Sequence, residues 1–111
     1  MKLSADAVIP IEKLTEYLLA RRARNDKSGY LALAGYNASN WNILENDIRK
    51  LIQSRDAESA GQNEFGEFLV VRGQLLGPNN SALNVKTVWI QLSEMNETRF
   101  VTLVPEEHST P

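Results

Sequence analysis

The sequence predicts an α+β domain: about three N-terminal helices packed on a three- to four-stranded antiparallel meander. Three observations carry this. Apolar residues before Asp56 recur at three- and four-residue spacing. After Asp56 they cluster into short runs rich in β-branched residues. The two patterns are segregated rather than interleaved, and short loops between consecutive strands impose antiparallel pairing. At 111 residues the chain makes a single domain, 1–105, with a flexible tail at 106–111.

Each element has its own local reason. Pro10 opens the first helix, where its missing N–H is no loss, and Ile11, Leu14 and Leu18 follow at helical spacing. Residues 22–25 form a connection. Asp26 caps a second helix running through Leu33 or Ala34, and Gly35 supplies the left-handed residue that ends it. The third helix spans about 38–53, with Asn37 as its cap and Trp41, Leu44, Ile48, Leu51 and Ile52 as its apolar stripe. A strand starting near Phe65 runs to Leu76, and Gly77-Pro78-Asn79-Asn80 turns the chain. Leu83–Leu92 is the next strand. Glu94–Glu97 turns again, and the last strand, Phe100–Val104, halts at Pro105.

Composition excludes much chemistry. With no cysteine there are no disulfides, thiolate metal sites or cysteine nucleophile. The lone histidine, His108, lies in the tail, so paired-histidine catalysis and histidine-rich zinc sites are out. We expect no cofactor and no metal. The longest nearly apolar run, Tyr30–Tyr36, falls far short of the ~18 residues that span a bilayer. Ser4 and Asp6 interrupt any leader-like start. The expectation is a cytoplasmic protein with no membrane contact.

A net charge of −2 conceals an asymmetry. Residues 1–55 carry nine basic and six acidic side chains, and residues 56–111 carry three and eight. Arg21, Arg22 and Arg24, with Lys27, make the one basic cluster, suited to an RNA backbone or an acidic protein. Its plainer meaning is a helix C-terminus enriched in cations to suit the dipole. Trp41 marks a helix surface that a protein partner could use.

Catalytic candidates form a short list. Asp26-Lys27-Ser28 places a lysine at a helix N-terminus, where a phosphate could bind, although it lacks the glycine pattern of a P-loop. Alternation puts Arg72 on one sheet face with Phe68 and Val70, Lys86 with Val88 and Ile90, and Arg99 with Val101 and Leu103. Cations among apolar neighbours either snorkel at the core's rim or face a substrate anion. Thr87 and Thr102 are hydroxyls on neighbouring strands. The carboxylate pairs Asp56/Glu58, Glu64/Glu67 and Glu94/Glu97, and the run Glu106-Glu107-His108, read as solvated charge.

The chain resembles a family of small bacterial proteins catalogued as a domain of unknown function. The resemblance is carried by residues 5–14, Asp26-Lys27-Ser28, Ala34-Gly35-Tyr36, Asn40-Trp41 and Arg72-Gly73. It continues through Leu76-Gly77-Pro78-Asn79, Thr87-Val88-Trp89 and residues 98–105. Asn80 departs from the glycine usual in that turn, yet tolerates the same left-handed backbone. The resemblance implies one half of a two-gene arrangement beside a small β-rich protein, in the manner of toxin–antitoxin pairs. The helices-then-sheet order is similar to that of small metal-independent ribonucleases and ribosome-dependent toxin nucleases, which is an analogy of fold.

Two functions follow as expectations. One is a toxin-like, metal-independent ribonuclease or RNA-binding protein using Lys27, Arg72, Lys86, Thr87, Arg99 and Thr102. The other is a non-catalytic module that binds the neighbouring gene's product through a sheet edge or the surface around Trp41.

Overall fold

The computed structural model describes residues 2–4, 6–20 and 27–106. Three helical segments precede a four-stranded antiparallel sheet, so the predicted α+β architecture holds. The first segment, Lys13–Leu18, is wound as a π-helix and closes with a bond from Leu19 N–H to Leu14 O. Its Leu14 and Leu18 are fully buried. Helix α1, Ser28–Ala32, is short, and the turn after it closes on Gly35, whose φ of 94° favours a residue without Cβ. Asn37 caps the third segment as expected. Its side chain accepts from Ser39 and Asn40 N–H while Asn40 Oδ1 accepts from Asn37 N–H. One 3₁₀ turn, Ala38–Asn40, then leads into α2, Trp41–Ser54, which buries Leu44, Ile48, Leu51 and Ile52.

The strands run β1 Glu58–Gln62, β2 Gly66–Leu76, β3 Ala82–Leu92 and β4 Glu97–Pro105, in that spatial order. Strand β1 went unforeseen because Glu-Ser-Ala-Gly-Gln has no β-branched residue and no alternation, and every side chain in it is exposed. It forms only because β2 offers a template, pairing Glu58 with Val70 and Ser59 with Leu69 before a bulge containing Gly61.

One face of the sheet makes the core. Leu69, Val71 and Leu75 of β2, Leu83, Val85 and Trp89 of β3, and Phe100 and Leu103 of β4 join the buried residues of all three helical segments in one cluster. Trp89 meets Phe100 edge-on, with ring centres 5.2 Å apart. Phe68, Val70, Val88 and Ile90 alternate with these positions and lie outside that cluster, on the opposite face.

The third strand pair corrects one expectation. Val88 faces Thr102 but Trp89 faces Phe100, so Val101 is an extra residue in β4. The bulge reverses the alternation: Arg99 sits level with Ile90 on the outer face, whereas Leu103 points inward. Arg99 and Leu103 therefore do not share a face.

The β2–β3 turn docks on α1. Asn79 N–H donates to Ala34 O, and its side-chain amide donates to Leu33 O at 3.0 Å. Asn80 takes the left-handed conformation at φ 69°. Gly77 is required for a different reason: a Cβ there would fall on the Ala34 carbonyl.

Candidate functional site

Strand register assembles the site on the outer face. Arg72 of β2 is the direct partner of Lys86 of β3, and like charges at paired positions repel. Two carboxylates offset this. Arg72 Nη1 lies 3.1 Å from Glu58 Oε1, and its Nε lies 2.8 Å from Glu106 Oε1. Glu106 follows β4, so its side chain reaches over β3 to meet an arginine on β2. Lys86 lies on the strand between them and forms no ion pair among the described residues.

The sequence places Glu106 at the start of the C-terminal tail. Here its N–H donates to Asn84 O at 2.9 Å, continuing the β3–β4 ladder by one residue. The signal that could have found it is the strand just before it. Pro105 cannot donate a ladder hydrogen bond, yet the next N–H can resume the pairing. A depression of about 420 Å³ opens beside the ion pair, lined by Arg72, Gln74, Asn84, Glu106 and Arg55 among others.

Lys27 and Thr102, 75 positions apart, also meet. Lys27 Nζ donates to Thr102 Oγ1 at 3.1 Å and to Tyr17 Oη at 3.0 Å, and lies 4.9 Å from the centre of the Tyr17 ring. Lys13 stands on the same ring at 6.0 Å and donates to Val101 O. Thr102 pairs with Val88, one side-chain step along the outer face from Lys86, so this second cluster borders the first.

The remaining candidates sit elsewhere. Arg99 shares the outer face but is tied to Glu97 at 3.4 Å and lies four residues along β3 from the Lys86 position. Thr87 is fully buried. Its hydroxyl donates to Val71 O and accepts from Trp89 Nε1, both at 2.9 Å. Trp41 is half-buried and packs against the core at the start of α2. Arg21, Arg22 and Arg24 lie outside the described residues, as does Asp26. No group of three or more His, Cys, Asp or Glu among the described residues could hold a metal ion. No helix in them is long and apolar enough to cross a membrane.

Resolved shifts in acidity lie away from this face. Burial and the bond to Asp47 raise the Tyr36 hydroxyl well above its ordinary value, and Lys2 holds the Asp56 carboxyl low.

Residues 2–107 match the family described as Domain of unknown function (DUF6883). The chain belongs to this family. None of the curated proteins matches it. The DUF6883 fold is similar to a solved chain from a contact-dependent growth inhibition toxin–immunity protein complex of Klebsiella pneumoniae 342. The TM-score is 0.64 at 16% identity, covering 94% of this chain and 97% of that one. At that identity the likeness is one of fold.

Proposed function

We propose that this DUF6883 domain is a toxin-like, metal-independent ribonuclease whose site is the outer-face cluster of Arg72, Lys86 and Glu106. One observation carries the reading: a carboxylate, a guanidinium and a lysine with no ion pair among the described residues stand together on the sheet face that the core leaves open. The fold shared with a chain of a toxin–immunity complex supports it.

The chemistry follows from the groups present. The Glu106 carboxylate takes the proton of an RNA 2′-hydroxyl, and the 2′-oxygen attacks the adjacent phosphorus. Arg72 stabilises the extra charge on the phosphorane oxygens. The P–O5′ bond breaks as Lys86 gives a proton to the leaving oxygen, which leaves a 2′,3′-cyclic phosphate. Lys27, held against Thr102, meets a flanking phosphate, and Phe68 on the same face offers a surface for a base. Thr87, whose hydroxyl faces the core, and Arg99, tied to Glu97, take no part in this step.

The test is incubation of purified protein with mixed cellular RNA and with its all-deoxy counterpart. Fragments ending in cyclic phosphate from RNA alone are expected, together with growth arrest on expression. Intact RNA from a folded protein overturns the reading.

The half-buried apolar residues Phe68, Val88 and Ile90 favour a second reading on the same face: a non-catalytic module that binds the neighbouring gene's product. That reading expects intact RNA, unimpaired growth and a stable complex with that product.

A further inference from the structure

Strand β2 is longer than its neighbour β1. The β1 pairing reaches only Val70, and β2 continues to Leu76 with β3 on one side alone. The phase of the ladder is fixed at both ends. Gly77 N–H bonds to Ser81 O and Ser93 N–H to Phe65 O, so odd-numbered residues of β2 exchange bonds with β3. Even-numbered residues direct their backbone outward, as Gly66 O does in accepting from Asn63 N–H. The N–H and C=O groups of Arg72, Gln74 and Leu76 therefore point to the open edge, and none has a partner among the described residues.

That edge borders a groove. A depression of about 470 Å³ lies between it and α2, lined by Asp47, Lys50, Leu51, Ser54, Arg55, Gln74, Leu75 and Leu76. It shares Arg55 and Gln74 with the depression beside Glu106. Because Gly73 has no Cβ, Leu51 and Arg55 pack close beneath the strand and form the groove's floor. The groove's lining carries two cations against one carboxylate, a net positive charge. Lys50 and Arg55 form no ion pair among the described residues, while the Asp47 carboxylate accepts the Tyr36 hydroxyl at 2.6 Å. Leu76, 61% exposed, supplies an apolar contact at the end of the edge.

We propose that this groove takes an extended, acidic segment of a partner protein as a fifth strand, added to the Arg72–Leu76 edge. Backbone bonds to Gln74 and Leu76 set its register, Lys50 and Arg55 select carboxylates, and Leu76 meets an alternating apolar side chain. The edge uses Arg72 through its backbone alone, and the proposal does not depend on the phosphate chemistry of its side chain.

The probe is an end-capped peptide of alternating valine and glutamate, compared with its valine–lysine counterpart and with a copy N-methylated at alternate peptide bonds. The glutamate peptide is expected to bind at least about tenfold more tightly than either comparator. It is also expected to slow amide exchange at Gln74 and Leu76 by about tenfold or more. Gln74→Pro removes an N–H that has no partner among the described residues, so it should leave circular dichroism unchanged and abolish binding. Charge reversal at Lys50 and Arg55 together should erase the preference for glutamate without touching the strand. Unchanged exchange at Gln74 and Leu76 under saturating peptide, or equal binding of the N-methylated copy, overturns the proposal.

Discussion

Arg72 and Glu106 are joined at 2.8 Å although a whole strand lies between them. Neighbouring strands stand about 4.8 Å apart, so only a side chain as long as arginine's closes the gap. The contact brings a carboxylate to the face that carries Lys86. Neither residue could do this from its own strand.

Glu106→Gln keeps the shape of the side chain and removes the base. RNA cleavage is expected to fall by about 10²–10⁴-fold, the usual contribution of a general base. Stability should fall by no more than about 1 kcal/mol, since both side chains are partly exposed. Cleavage rates and urea midpoints on the same preparation check both parts.

Lys86→Thr separates function from stability in the opposite sense. It removes the charge facing Arg72 and adds a strand-forming residue, so stability should rise by about 0.2–1 kcal/mol. Cleavage should fall. A variant that melts higher and cuts more slowly is the expected result.

Thr87→Val preserves shape but strips Trp89 Nε1 of its acceptor in a fully buried position. The expected cost is about 1–3 kcal/mol in chemical denaturation. Cleavage per folded molecule should stay at the wild-type level, because the hydroxyl faces the core.

Tyr36 is 1% exposed and donates to Asp47 at 2.6 Å. The fold favours its protonated form, so the hydroxyl's folded value lies above its unfolded one. The resulting stability is fully present below about pH 10 and is lost as pH rises beyond it, at about 1.4 kcal/mol per pH unit. Tyr36→Phe should flatten that alkaline slope. It should also cost about 1.5–3 kcal/mol near neutrality, the range for a hydrogen bond to a charged group. Denaturant midpoints between pH 8 and about 11 measure both effects.

Elements with a strong periodic signal were readable in the sequence. The stripe of α2 and its Asn37 cap, the Gly77–Asn80 turn and strands β2 to β4 lie close to where the residues place them. What escaped depended on partners distant in the chain. Strand β1 exists because β2 templates it, and the Val101 bulge is set by pairing with β3. The site divides the same way. Alternation alone places Arg72 with Phe68 and Val70 and Lys86 with Val88 and Ile90, while their meeting on one face depends on the β2–β3 register. The Glu106 bridge could not be read, because a residue just past a proline gives no sign of reaching over the neighbouring strand. Lys27 and Thr102 were both singled out, but their contact belongs to tertiary structure.

Along β2 and β3, neighbouring residues answer to different demands: one position builds the interior and the next displays chemistry. A substitution on the outer parity is therefore free to alter binding while the interior stays whole. A deletion of one residue within either strand exchanges the two roles at every later position and loses both together. The outer face can diversify rapidly by point changes, whereas changes in length are confined to the connections, such as residues 93–96.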